Sequence, residues 1–478
     1  MKITSRRNFI KNSGTLFASA CTMPFINLKT KNVGPNNSKL PNILYIFTDQ
    51  QNFYDIGAHG NPHVQTPVMD SLIKGGLSFK KSYCVSPVCG PDRSAMLTSR
   101  MPHETGVNYN GQTPRESIPN MGEIFKEKGY RTIWGGKWHL PESYPLRSGS
   151  KQKEIRGFEL LPFYDSKLRH EWGRGLNTDQ PLANAVSNFL MNYKDNKPFL
   201  LGASFHNPHD ICYHPREPQQ FPMPINKEKL PPLPPNFNIN STEPEFYKIR
   251  RQQKKYGEAL LMTQNYTPLQ WQSYLYYYYK LTEKVDQAIG IVLEALRKSG
   301  REKDTLVIFT SDHGDGASSH KWATKLSLYE ESVNVPFIIY WKGKIKPQKM
   351  DWHHVVSGLD ILPTMLDFAG FKIPSEMLGQ SLRPIVENKA KNFRDYVVTE
   401  LALNPKKPSL KGRMIRTSQY KYNLFSEGLQ NEQLFDLYRD PGETQNLSNE
   451  PTLQNFKNRL RGYLYDWMEI TNDDFKYS

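Results

Sequence analysis

Short apolar runs alternate with longer amphipathic segments from about residue 41 onward. This alternation is the signature of an α/β domain built on a mostly parallel sheet flanked by helices. NILYIF (42–47) and TLVIF (305–309) are dense in β-branched and aromatic residues and apolar at nearly every position. Strands of that kind belong in the centre of a sheet, covered on both faces. Leu281, Val285, Ile289, Val292 and Leu296 recur at helical spacing and predict a helix over 274–296, leading through Gly300 into the second of these strands. RTIW and PFLLGASF give two further strands, and the proline-rich stretch 215–235 predicts a long surface loop. Beyond Gly370 the pattern changes to short runs, DYVVTEL, RMIRTSQYKYNLF and EQLFDLY, then a final helix with Leu453, Phe456, Leu460, Leu464 and Trp467 on one face. That pattern predicts a smaller C-terminal subdomain with an antiparallel sheet.

The residues just past the strands carry the chemistry. The runs exit into TDQQ, GGKWH, HNPHD and SDHGD. Ligands of open parallel sheets bind beyond the carboxyl ends of the strands, so these exits are expected to converge on one site. A lone aspartate after a strand is ordinarily a turn or helix cap, and a lone histidine a hydrogen-bonded structural residue. Four coincident exits strain that explanation. Asp49, Gln50, Asp312 and His313 offer carboxylate oxygens, an amide carbonyl and an imidazole, a set suited to one divalent cation. Without a cation, two converging carboxylates would repel and one would take up a proton. Lys137, His139, His209, His320 and Lys325 add cationic or proton-shuttling groups that suit a charged oxyanion.

Composition narrows the classes. The 478 residues, 37% hydrophobic and 23% charged, suffice for a large core and two domains, and no apolar run is long enough for a multi-span membrane protein. The net charge of +15 attracts polyanions without choosing among nucleic acid, anionic lipid and sulfated or phosphorylated substrates. The amino terminus reads SRRNFIK followed by GTLFASA, the order of a twin-arginine export signal over residues 1–25, with a spacer over 26–40. Export machinery is the implied partner and a periplasmic or extracellular site the implied location. ASAC also resembles a lipoprotein box, which would lipidate Cys21 and give the protein its one attachment to a membrane. The remaining cysteines, Cys84, Cys89 and Cys212, are too few for a disulfide scaffold.

Cys89 lies in SPVCGPDRSAMLTSR, where a short helix and Arg93 would stabilise its thiolate. CGPDR followed by a small-residue helix and LTSR resembles the signature of type I sulfatases, in which this cysteine is oxidised to formylglycine. PNILYIFTDQQ, TPVMDSLIKGGLSF, GGKWHL, SFHNPHD, FTSDHGD, LYEESVNVPFII, LDILPTMLDFAG and LFDLYRDPGETQNL are similar to that family's landmarks, in family order, over residues 41 to about 450. The resemblance implies the alkaline-phosphatase-like fold, with a catalytic domain over 41–370 and a C-terminal subdomain over 371–478. It implies that Cys89, as hydrated formylglycine, attacks sulfur, that a maturating enzyme acts on Cys89, and that Arg93 and Lys137 orient and neutralise the reacting oxygens. His139 would deprotonate the second hydroxyl. Lys325 and His209 would bind sulfate, with His209 as general acid and His320 as its alternative. Family habit favours calcium between Asp49, Gln50, Asp312 and His313, while the imidazole leaves manganese or another transition metal open.

Two departures bear on specificity. Gln50 stands where many sulfatases have aspartate and His313 where many have asparagine, pairings similar to choline-sulfatase-like enzymes and phosphonate monoester hydrolases. Asp92 replaces the usual serine of the signature. The expected function is hydrolysis of sulfate monoesters on carbohydrate, with phosphonate or phosphodiester hydrolysis as the alternative. A catalytically inert anion-binding module and a nucleic-acid binder explain the charge, but neither requires the acids, the metal set and the CxPxR cysteine together.

Overall fold

The computed structural model describes residues 40–140, 154–161, 174–254, 258–347, 349–390 and 392–477. The export signal, Cys21 and all of the spacer but Leu40 lie outside the described residues.

Nine strands form the main sheet, in the order β4–β5–β3–β6–β1–β7–β8–β2–β9. Their ranges are β1 Asn42–Asp49, β2 Leu77–Tyr83, β3 Arg131–Gly136, β4 Glu154–Ile155, β5 Phe158–Leu160, β6 Phe199–Pro208, β7 Thr305–Ser311, β8 Phe337–Tyr340 and β9 Lys349–Ser357. β5, β3, β6, β1 and β7 are consecutive parallel neighbours. β8 runs against both β7 and β2, so β2 points the same way as β1 and delivers its carboxyl end to the same edge. Every residue of β1 and β7 is buried, as their apolar character predicts. One apolar cluster on a face of the sheet takes in the helix Pro268–Lys298 through Val285, Ile289, Val292 and Leu296. That helix starts earlier than its apolar spacing suggests, because the Thr267 hydroxyl caps it and Pro268 occupies its first turn.

The second sheet is antiparallel, β10 Tyr396–Ala402, β11 Lys411–Thr417, β12 Tyr420–Phe425 and β13 Glu432–Asp436, in sequence order. The run RMIRTSQYKYNLF is two strands, because Thr417 Oγ1 accepts from Tyr420 N at 2.9 Å and turns the chain. Leu460 and Leu464 of the last helix, Gln454–Thr471, lie against this sheet with Ile415, Tyr422 and Leu424. Each of the two leucines, fully buried, contributes about 1.5–3 kcal/mol. Leu453 precedes that helix in a 3₁₀ turn, Pro451–Leu453. Val85, Ala95 and Met101 belong to the same cluster, so the segment around Cys89 is packed between the two sheets. Among the described residues no helix is long and apolar enough to cross a membrane.

Candidate active site

The parallel register brings the strand ends together. Thr48 pairs with Ser311 across β1 and β7, and Asp49 with Pro208 across β1 and β6. Asp49 and Asp312 therefore leave adjacent strands side by side, and Asp312 N donates to Thr48 O at 3.3 Å. Gly136 ends β3 at φ +90°, where an added Cβ would lie 1.9 Å from Ser204 O. Only glycine lets β3 come this close to β6 and turn Lys137 into the site. Gly314 does the same between His313 and Asp315, its missing Cβ facing Glu331 O.

Cys89 is the first residue of the helix Cys89–Thr98, all ten of whose residues are buried. Asp92, in its first turn, accepts from the backbone N–H groups of Val85 and Ser86 at 2.6 and 3.1 Å and folds the preceding loop back onto the helix. The carboxylate that departs from the family serine thus anchors the loop. The Cys89 thiol lies 2.8 Å from Lys325 Nζ, 3.1 Å from His313 Nε2 and 3.8 Å from Asp49 Oδ1, and it is hydrogen-bonded to His139 and His209. Burial and Asp49 push its pKa up, but Lys325, His313 and Lys137 outweigh them and hold it well below the usual thiol value. Arg93 is fully committed: Nε donates to Asp312, one terminal nitrogen to Asp49, and the other to Lys137 O and Ser204 Oγ. Lys137 Nζ is 2.6 Å from Asp49 Oδ2.

The two carboxylates titrate in opposite directions. Burial raises Asp49, yet Lys137, His209 and Arg93 hold it well below the carboxylate range. Asp312 is pushed up to about 6 by burial and by the charge of Asp49. A cation relieves that strain, and the donors fit one. Single ligand atoms of Asp49, Cys89, Asp312 and His313 lie within 4.8 Å of one another. His313 Nδ1 is 2.8 Å from the Gly314 carbonyl, which only accepts, so Nδ1 carries a proton and Nε2 faces the cluster. Burial lowers the imidazole pKa, but Asp312 outweighs it and raises it, and a cation would take the place of the Nε2 proton. Gln50, at φ +71°, donates its backbone N–H to Asp312 and its side-chain Nε2 to Asp315.

His209 and His139 flank Cys89 as expected from their strand exits; burial, then Lys137, lowers both, His209 to about 3 with Lys325 adding to the effect. Lys325 faces the thiol. His320 does not join them. It stacks on Tyr329 with ring centroids 3.9 Å apart and shares a separate buried cluster with Glu331 and Glu443. The cause is local: residues 317–326 include six non-glycine residues at positive φ, and this winding sends His320 and Lys325 to different places. Sequence reasoning does not reach Asp315, which accepts from Gln50, Ser204, which accepts from Arg93, or His206, buried within electrostatic reach of Lys137 and Asp49. Asp315 and His206 stand in the SDHGD and HNPHD exits, close to Asp312 and His209, and Ser204 lies near the end of the PFLLGASF run.

With this geometry in view, the matches to known proteins are specific. The family model described as Sulfatase matches residues 41–371, and that described as N-sulphoglucosamine sulphohydrolase, C-terminal, matches 318–469. The chain belongs to the sulfatase family, within the alkaline-phosphatase-like superfamily, and is a sulfuric ester hydrolase. It is 32% identical to a Delta 4,5-hexuronate-2-O-sulfatase of Bacteroides thetaiotaomicron, over 91% of this chain and 90% of the relative. It is 31% identical to an ulvan-active sulfatase of Formosa agariphila, over 91% and 82%. The solved structure of a 2-O GAG sulfatase superposes with a TM-score of 0.78 at 29% identity, covering 91% of this chain and 93% of that one. A phosphonate monoester hydrolase from Silicibacter pomeroyi shares the fold, with TM-score 0.73 at 22% identity and coverage of 91% and 96%.

Proposed function

We propose that the protein is an exported sulfatase acting on sulfate monoesters of carbohydrate, with Cys89 converted to formylglycine and one divalent cation at Asp49, Gln50, Asp312 and His313. The observation that carries this reading is the Cys89 thiol at 2.8 Å from Lys325 and 3.1 Å from His313, beside two buried carboxylates. The carbohydrate assignment is supported by relatives named for hexuronate and ulvan. The cation supplies Lewis-acid stabilisation of negative charge on the attacking oxygen. Calcium follows family habit, and the His313 imidazole admits manganese or another transition metal.

The side chains then divide the work. One hydroxyl of the hydrated Cys89 aldehyde attacks sulfur, its proton leaving to solvent, and the sulfur–sugar oxygen bond breaks. His209 protonates the departing sugar oxygen. In the free enzyme burial and the cations Lys137 and Lys325 keep His209 neutral, and a bound sulfate places negative charge among those cations and restores its proton. His139 takes the proton of the second hydroxyl, the carbon–oxygen bond to sulfate breaks, and the aldehyde re-forms as sulfate leaves. Lys325 and Lys137 neutralise the sulfate oxygens, and Arg93 holds Asp49 and Asp312 in place.

The test is kcat/KM of the fully matured enzyme on sulfated monosaccharides, an aryl sulfate and a phenyl phosphonate monoester. A sulfated sugar is expected to lead. A phosphonate ahead by more than about tenfold, or about 1.4 kcal/mol of transition-state preference, replaces this reading with phosphonate hydrolysis. Export through the twin-arginine route predicts that Arg6→Lys with Arg7→Lys traps the protein in the cytoplasm, and unaltered export of that variant refutes the route.

A further inference from the structure

Asp315 is wholly buried, and three neighbouring groups converge on its carboxylate. Its Oδ1 accepts from Ala317 N at 2.8 Å, and both oxygens accept from the Tyr274 hydroxyl at 3.0 and 2.9 Å. Gln50 Nε2 reaches Oδ2 at 2.7 Å. The polarity of this hydrogen-bonded series is decided at its far end. Thr324 N donates to the Tyr274 oxygen at 3.1 Å, and a backbone N–H only donates. The one phenolic proton therefore goes to Asp315, whose oxygens are left to accept. With Asp315 ionised, the group of Gln50 facing it is its NH₂, and the amide oxygen is turned away from Asp315. The Cys212 sulfur lies against the amide, 3.3 Å from its oxygen and 3.2 Å from Nε2, so it does not select an orientation, and its weak S–H donor yields the oxygen to a cation. One helical turn along, Tyr278 donates to the Gln50 carbonyl at 2.6 Å, so one face of the helix Pro268–Lys298 holds the residue from two sides.

We propose that Tyr274 and Asp315 are a positioning pair that fixes the orientation of the Gln50 amide, presenting its oxygen and not its nitrogen to the cation bound by the neighbouring carboxylates. A ligand aspartate needs no such device, because both its oxygens coordinate; an amide has a wrong way round. The pair thus meets a requirement created by glutamine at position 50. The inference rests on the cation reading above.

The experiment measures calcium, and separately manganese, binding to the chelator-treated full-length protein by titration calorimetry and by the cation-induced shift in Tm. Asp315→Asn can offer Gln50 its own NH₂ and so admits the flipped amide; its affinity is expected to fall about tenfold or more. Tyr274→Phe removes one oxygen atom and is expected to weaken binding in the same direction, and it decides the matter if Asp315→Asn does not fold. Asp315→Asn combined with Gln50→Glu exchanges donor and acceptor while keeping total charge, and is expected to bind within about threefold of the parent. Parental affinity in both single variants, alongside lost binding in Asp312→Ala, overturns the positioning pair and leaves the cation site standing. Failure of the exchanged pair to recover binding reduces Asp315 to a packing role and also overturns the proposal. Equal affinity of the parent and Asp312→Ala refutes the cation site, and the pair with it.

Discussion

Two buried charge clusters sit on either side of the segment 317–326, and they are built oppositely. Around Cys89, Lys325 converges on a thiol and His139 and His209 each keep an Nδ1 without a partner. Around His320, the cation is part of the fold: Lys421 Nζ lies 2.7 Å from Glu443 and 3.2 Å from Glu330, and Arg416 binds the Tyr83 hydroxyl that donates to Glu330. The second cluster ties β2 to β11 and β12; His320 Nδ1 and Glu331 Oε2 lack partners there as well, but its cations are spent on carboxylates and it holds no nucleophile. In the first, Lys325, His313, His139 and His209 all reach one sulfur. Burial and charge alone do not mark an active site. Convergence of cationic and proton-carrying side chains on one reactive atom does.

The largest effect that separates the two comes from Cys89→Ala. Turnover is expected to fall by at least about 10⁴-fold, or about 5.5 kcal/mol of barrier, with denaturant stability changed by no more than about 2 kcal/mol. A variant that retains turnover removes Cys89 from the chemistry. Lys421→Met should do the reverse. It leaves Glu330 and Glu443 buried without their lysine and is expected to cost about 3–5 kcal/mol of stability, while kcat of the folded fraction stays within about threefold. Adding Glu443→Gln should recover much of the loss, since burial already raises Glu443 to about 8. Unchanged denaturation midpoints for Lys421→Met would dissolve the distinction between the clusters.

A smaller effect is expected at a third cluster. His103 bonds Glu400 and the Thr471 carbonyl; burial lowers its pKa, but the charge and hydrogen bond of Glu400 raise it from 6.5 to about 9. A group raised on folding stabilises fully below its unfolded value, and the stabilisation fades as pH rises through the folded value. The stability difference between the parent and His103→Gln should be about 2–3 kcal/mol at pH 6 and shrink toward zero above about pH 9. Unfolding curves across that range that stay parallel would remove the ion pair.

How much of this is legible in the sequence differs by element. The strands 42–47 and 305–309 and the polar exits beyond them are written in local pattern, because fully buried parallel strands must be apolar and their ligands sit past their carboxyl ends. β2, LSFKKSY, shows no such run, since Lys80 and Lys81 interrupt it, and its place beside β8 and β9 depends on distant partners. His320 carries the same local credentials as His209, and only the winding of 317–326 separates them. Tyr274 lies in YLYYYYK, where helical spacing marks it as a core aromatic; the hydroxyl that matters points at residues 41 and 50 positions away.

The complete burial of Cys89 and its helix sets an order of events. An enzyme that oxidises the thiol has to bring it into its own active site, and in the folded protein every residue of the Cys89 helix is buried. Under the formylglycine reading, conversion must come before the two sheets close over the segment, and a chain that folds first is shut out of activity. Folding and maturation then race, and a preparation holds converted and unconverted chains that differ in competence. Under the proposed twin-arginine route as well, the race is decided in the cytoplasm, and the active fraction is set before the protein reaches its substrate.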